Sequence, residues 1–366
     1  MRKCSDRGFS FVEVLLALTI FLAAAAPLLQ IAASGQRLVR THGEATDLHQ
    51  RLRVAVSTLR RELALAGTGA LRGPGSGLSG GLTGYLAPLV PARTGARAPD
   101  TPLSAFSDRI SLVYVKDDAW PSPLTVDMAN VTDAVPVSDA VPGCPAAGLC
   151  GFNVGTRALI MDTSAVGAGH DFFTVTGIAG ALAHDAPNPA LHRPYVARHS
   201  IVVPIVQRVY YFDRVNRRLM VYDGHQSDMP LIDNVLDLRF TYFADPSPSS
   251  VARPADGSDN CVYDAGSPPV PRLGDLGGAG LRQLTAAEMT DGPVCGAGAG
   301  AFDGDLLRIR LVRVTMRLQA AADEVRGSGA LFMRPGRSTS GYSYVPDYEV
   351  AFDVAPRNMA PVVFPR

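Results

Sequence analysis

From Phe9 to Ala33 the chain is almost entirely apolar, and one charged side chain, Glu13, interrupts that run near its start. As a helix these residues rise roughly 37 Å, enough to cross a hydrocarbon core of about 30 Å. The preceding stretch Met1-Arg2-Lys3-Cys4-Ser5-Asp6-Arg7-Gly8 is short, polar and mainly basic. Basic residues before such a span and a large domain after it predict a cytoplasmic N-terminus and a translocated remainder. An ordinary secretory signal is the competing reading, with Ala24-Ala25-Ala26 as its small-residue cleavage region. Pro27 directly after the alanines fits that reading poorly, and so does the carboxylate.

A charged group at bilayer depth costs on the order of a few kcal/mol, so an ionisable residue there is expected to have a partner and a function. Glu13 closes the segment Arg7-Gly8-Phe9-Ser10-Phe11-Val12-Glu13. These seven consecutive positions resemble the type IV prepilin processing signature: a basic residue, glycine, an aromatic, a small hydroxyl residue, two apolar residues, then glutamate. The resemblance implies cleavage between Gly8 and Phe9 by a membrane prepilin peptidase and N-methylation of Phe9. Glycine suits the cut because a residue without a side chain lets extended backbone enter a narrow cleft. The resemblance also implies that Glu13 pairs with the N-terminal amine of a neighbouring subunit during assembly. Opposite charges in a low-dielectric layer gain most when each removes the other's unpaired state.

Beyond Ala33 the pattern turns amphipathic. Leu48, Leu52, Ala55, Leu59 and Leu63 recur at helical spacing, while Arg51, Arg53, Arg60, Arg61 and Glu62 mostly fall on other faces. Helix-compatible residues run to about Ala66, where Gly67-Thr68-Gly69 ends the pattern, and Pro27 and Gly35 are expected points of kinking. The division expected is a leader at 1–8, a transmembrane and assembly helix at 9–33, and an amphipathic continuation at 34–66. A Gly/Pro-rich linker at 67–100 and a β-rich periplasmic head at 101–366 follow. A coiled-coil stalk is the alternative for the amphipathic part.

Strand signals in the head fall at 109–115, 157–161, 171–176, 201–212, 218–222, 235–243, 306–318 and 348–354. The segment Leu307-Arg308-Ile309-Arg310-Leu311-Val312-Arg313-Val314 alternates apolar and basic residues, as a sheet with one wet face does. No repeated βαβ unit appears. The fold class expected is α+β, pilin-like, with the long N-terminal helix packed on an antiparallel β-sheet head with long loops. The inserts 117–155, 178–199 and 244–303 hold four cysteines between them. Cys144, Cys150, Cys261 and Cys295 suit two disulfides in an exported region. Neighbours in sequence suggest Cys144–Cys150 and Cys261–Cys295, and three pairings are open. The order of strand segments, from Ile205–Phe212 to Phe352-Asp353-Val354-Ala355-Pro356-Arg357-Asn358, is similar to PilW-type minor pilins and more distantly to the J-type pseudopilin of type II secretion.

Little in the sequence argues for chemistry. The 34 basic and 34 acidic side chains cancel, which gives no electrostatic reason to expect nucleic acid. Gly77-Leu78-Ser79-Gly80-Gly81 matches a nucleophile elbow in letters only, since neither a strand nor a helix flanks it. His184, His192 and His199 lie in a proline-containing loop without zinc-site spacing. Asp256-Gly257-Ser258-Asp259-Asn260 and Asp303-Gly304-Asp305 offer oxygen ligands for calcium, yet neither completes an EF-hand loop. No cofactor, metal or catalytic residue is expected. The expected role is a minor pilin or pseudopilin, a structural subunit that assembles or primes a filament. Its expected partners are a prepilin peptidase, other pilins and inner-membrane lipid. An exported hydrolase or adhesin with an ordinary signal segment is the alternative of another class.

Overall fold

In a computed structural model of the chain, the described residues are 10–68, 82, 85–116, 119–141, 143–144, 149–164, 167–184, 191–248, 251, 253, 257–326, 344–356 and 358–359. The class is α+β: one long N-terminal apolar helix and a set of antiparallel sheets. Helix α1 spans Phe11–Leu65 and runs through Pro27 and Gly35 without interruption. It ends where Gly67 adopts φ 75°, the left-handed conformation that glycine reaches without a Cβ penalty.

Contacts divide the chain into two units, Met1–Leu52 with Leu318–Tyr348, and Arg53–Arg317 with Glu349–Arg366. In the first, residues 11–36 of the helix are exposed apart from half-buried Ala25. Farther along, Glu44 accepts the backbone N–H groups of Ala321 and Ala322 at 2.8 and 3.2 Å. The rings of His49 and Tyr348 meet edge to face at 5.1 Å. These contacts tie the 318–326 segment to the helix.

The second unit begins with the last turns of α1, where Ala55, Leu59, Leu63 and Ala66 are fully buried. Glu62 shares that face, because it lies three residues after Leu59 and four before Ala66. The sequence pattern placed it on an outer face; instead it is 6% exposed. Its carboxylate accepts from Tyr114 Oη at 3.0 Å and pairs with Arg61 at 3.2 Å. Burial first, and Glu62 second, push the Tyr114 phenol up to about 12.

A five-stranded antiparallel sheet runs β1 (Leu89–Val90), β2 (Arg109–Tyr114), β8 (Val206–Asp213), β9 (Arg218–Tyr222) and β10 (Asp228–Ile232). The first strand lies inside the stretch read as a linker, and Leu86 and Leu89 there are buried. A second five-stranded sheet runs β3 (Ser122–Pro123), β7 (Ser200–Pro204), β4 (Arg157–Asp162), β5 (His170–Ile178) and β6 (Leu182–His184). A third, of four strands, runs β14 (Arg282–Gln283), β11 (Val235–Ala244), β17 (Ile309–Leu318) and β18 (Tyr348–Val354). Two ribbons complete the set: β12 (Tyr263–Asp264) with β13 (Val270–Pro271), and β15 (Val294–Cys295) with β16 (Phe302–Asp303).

The sequence reading of one run at 201–212 is corrected here. Pro204 has no N–H to continue a ladder and closes β7. Ile205 N–H then donates to Arg157 O at 2.9 Å, and the chain re-enters at Val206 as the central strand of a different sheet. The inserts are also less irregular than their composition suggests. Leu124, Val135 and Phe152 from one insert and Leu191 and Tyr195 from another share a core with Ile160 and Phe173 of the second sheet.

Strands β11 and β17 alternate buried and open positions, as expected of a sheet with one wet face. Arg308 departs from the alternation. It closes a 3-10 turn, Gly304–Arg308, that precedes β17, so its side chain does not follow the strand's pleat. The guanidinium is fully buried and pairs with Asp305, and it donates to Pro246 O at 3.1 Å and Gly274 O at 2.8 Å. One arginine thus ties the start and the middle of the 244–303 insert to the foot of β17. Removing it leaves a buried carboxylate without its cation. Arg308→Met is therefore expected to cost about 3–5 kcal/mol in chemical denaturation, whereas Arg313→Ala, which breaks the solvent-exposed Arg313–Asp353 pair, is expected to leave the denaturation midpoint nearly unchanged.

Candidate functional site

Ser10 sits at the N-cap of α1, and Glu13 is the third residue of the helix. The Glu13 carboxylate accepts from the Ser10 backbone N–H at 2.8 Å, while Ser10 O accepts from the N–H groups of Glu13 and Val14 at 3.0 and 3.2 Å. This is the glutamate half of a capping box, and it places a negative charge where the helix dipole favours one. The signal for it, Ser10-Phe11-Val12-Glu13, was in the sequence but was absorbed into the longer motif. Glu13 thus has a local partner as well as a position at the start of an apolar helix. One helix among the described residues is long and apolar enough to cross a membrane, and its most apolar stretch has no buried residue. Gly8 and Phe9, the expected cleavage and methylation positions, lie outside the described residues.

Both neighbouring cysteine pairs are bonded: Cys144–Cys150 across six positions and Cys261–Cys295 across 34. The second disulfide lies against the turn at Gly167, where φ is 67° and a Cβ would come 2.5 Å from Cys261 Sγ. Gly167 N–H donates to Tyr85 O at 3.2 Å, and Gly167 O accepts from Gly296 N–H at 3.2 Å. Only glycine satisfies both the conformation and the approach.

The histidines do not converge. His184 Nε2 contacts Asp133 O at 2.9 Å, and His192 Nδ1 bonds Asp171 at 2.8 Å. The His199 backbone carbonyl serves Thr163. Asp171 is buried and also accepts from His192 N–H at 3.0 Å and Tyr195 Oη at 2.9 Å, which pins the 191–195 segment to β5. Asp303 and Asp305 gather with Asp291, their carboxylate oxygens within 4.8 Å of one another. Burial, reinforced by Asp305 and Asp291, pushes the Asp303 carboxyl up to about 6. Its oxygens are taken by the N–H groups of Asp305 and Gly292, and Asp305 by Arg308, so the group is held by the protein itself. Asp256 and Ser79 lie outside the described residues.

No protein-family model, curated protein or solved structure matches the chain. The disulfides give this region its clearest energetic ranking. In the loop-closure model the 34-residue separation is worth about 4 kcal/mol and the six-residue one about 2 kcal/mol. Cys261→Ser/Cys295→Ser is accordingly expected to lower the denaturation midpoint about 1.7 times as far as Cys144→Ser/Cys150→Ser.

Proposed function

We propose that the chain is a type IV prepilin-like assembly subunit of the minor pilin class. In this reading it resides in a bacterial inner membrane with its head in the periplasm, and then enters a pilus or pseudopilus. The observation that carries this reading is an exposed apolar helix with one carboxylate in its first turn. A soluble core helix would bury those residues. An ordinary signal segment has no use for a charge there.

The capping geometry supplies a physical route. Before processing, Glu13 is satisfied by the Ser10 N–H of its own helix. Cleavage after Gly8 would create an ammonium at Phe9, a stronger partner for a carboxylate than an amide N–H. Exchanging the cap for a neighbour's ammonium removes two unpaired charges from lipid at once. The exposed apolar surface of residues 11–36 then packs on like helices instead of acyl chains. The head plays no part in that chemistry and sets which neighbours the subunit meets.

Glu13→Gln separates the two roles of this side chain, because glutamine keeps an acceptor for the Ser10 N–H and loses the charge. Glu13→Gln and Glu13→Ala are both expected to be cleaved. Both should then appear in sheared filament fractions at least about tenfold less than the parent chain, the effect of about 1.4 kcal/mol. Quantitative immunoblots of membrane and filament fractions read the outcome. Undiminished incorporation of Glu13→Gln would reduce Glu13 to a helix cap and remove the assembly role.

A further inference from the structure

A cavity of about 420 Å³ opens in the second unit, within the size range of small-molecule sites. Its walls come from the 87–96 segment with β2, from Arg157 and the start of β5, and from the Ala299–Phe302 end of the disulfide-pinned insert. Val90, Val113, Phe172 and Phe302 supply much of the apolar lining. The two charged side chains on the wall are engaged by the protein. Arg157 donates to Gln207 Oε1 at 3.1 Å and to Thr174 Oγ1 at 3.2 Å, and Asp171 is bonded by His192 and Tyr195. The hydroxyls are bonded too: Thr94 Oγ1 accepts from Gln207 Nε2 at 3.0 Å, and Ser111 Oγ donates to Ala92 O at 2.6 Å.

His170 differs from all of these. It is 4% exposed, and neither ring nitrogen has a hydrogen-bond partner among the described residues. Nδ1 is sealed, whereas the Cε1–Nε2 edge lies against Gly300 on the cavity wall. A Cβ at Gly300 would come 3.2 Å from Nε2, so the glycine leaves that nitrogen room. The imidazole meets the Phe172 ring edge to face at 5.4 Å and the tilted Phe302 ring at 6.1 Å, which sets it in an aromatic wall. Burial, with His192 adding, pushes the imidazole down to about 4, so it stays neutral at ordinary pH. A buried polar side chain without a partner is costly, and a site that places one beside a cavity is built for something to meet it.

We propose that this cavity binds a small uncharged phenol, its hydroxyl on His170 Nε2 and its ring against the apolar wall of Val90, Val113 and Phe302. A hydroxyl both donates and accepts, so it completes a neutral imidazole in either tautomer, which a carbonyl or an ammonium cannot do. An aromatic body suits a wall that already presents aromatic rings, because such rings attract one another beyond the area they bury. A charged head group would enter with both wall charges already engaged, and burying an unpaired charge is costly. A highly hydroxylated ligand would leave its other hydroxyls unsatisfied against the apolar lining. The proposal stands independently of the filament reading.

Fluorine NMR of 4-fluorophenol, 4-fluorotoluene and 4-fluorobenzoate, each added to the full chain in detergent with disulfides intact, tests it against empty micelles. The toluene carries a methyl group of similar size in place of the hydroxyl, and the benzoate carries a charge. 4-Fluorophenol is expected to bind at least about tenfold more tightly than either analogue. His170→Phe, which keeps a flat ring and removes both nitrogens, is expected to abolish the preference for the phenol over the toluene. Ala299→Trp, at an exposed position on the cavity wall, is expected to weaken the phenol at least about tenfold. Four results would overturn the assignment: no phenol binding above the micelle blank, either analogue binding as tightly as the phenol, a phenol preference that survives His170→Phe, or binding unchanged by Ala299→Trp. Should His170→Phe fail to fold, the comparison of the three ligands and the Ala299→Trp arm decide the matter.

Discussion

The last three turns of α1 are where a helix of membrane-spanning length turns one face inward and becomes part of the second unit. Ala55, Leu59, Leu63 and Ala66 are buried completely, and each leucine so buried is worth about 1.5–3 kcal/mol. That burial desolvates Glu62, which then needs Tyr114 Oη and Arg61 to satisfy it. Arg60 lies over the Phe352 ring at 5.0 Å, so the β18 side is engaged as well. The opposite end of the same helix buries nothing: Phe11 and Leu29 are 77% and 70% exposed. One continuous element therefore has two surfaces suited to different surroundings, one packed into the second unit and one apolar and exposed along its length.

Away from the helix, the second unit is held by a few buried polar fastenings in addition to its cores. Arg308, Gln207 and Asp171 each join segments far apart in sequence. Loop closure costs grow only slowly with length, so long excursions are tolerated once their ends are fixed. The Cys261–Cys295 bond and the Arg308 contacts do that for the longest insert, and the Gly167 turn packs on the disulfide between them. A cavity of about 420 Å³ has the Ala299–Phe302 end of the same insert as one wall, so pinning the insert also shapes a surface.

How much of this was legible beforehand varied with the kind of signal. Period and composition marked the helix, the alternating strands β11 and β17, and the neighbouring cysteine pairs, because those follow from local chemistry. Glu62 and Arg308 were misplaced because charge suggested solvent, whereas helical spacing in one case and a 3-10 turn in the other turned the side chain inward. The break at Pro204 was missed because the flanking residues are all good strand formers, and only the absent N–H distinguishes the point where the chain changes sheets. That cavity is invisible in the sequence, since its walls come from 87–96, β2, Arg157, 170–172 and 299–302, which nothing local connects. At the helix start the opposite happened. A seven-residue pattern carried the functional reading, and the structure added a local partner for Glu13 that the pattern had not required.

The central claim concerns what becomes of the residues ahead of that helix. Intact-mass and N-terminal peptide mass spectrometry of the chain recovered from a host with a functional prepilin peptidase tests it most directly. The account predicts a mature protein beginning at Phe9 and carrying one added methyl group on its amine. A mature N-terminus beyond Ala26 would contradict it and make the apolar run an ordinary signal segment.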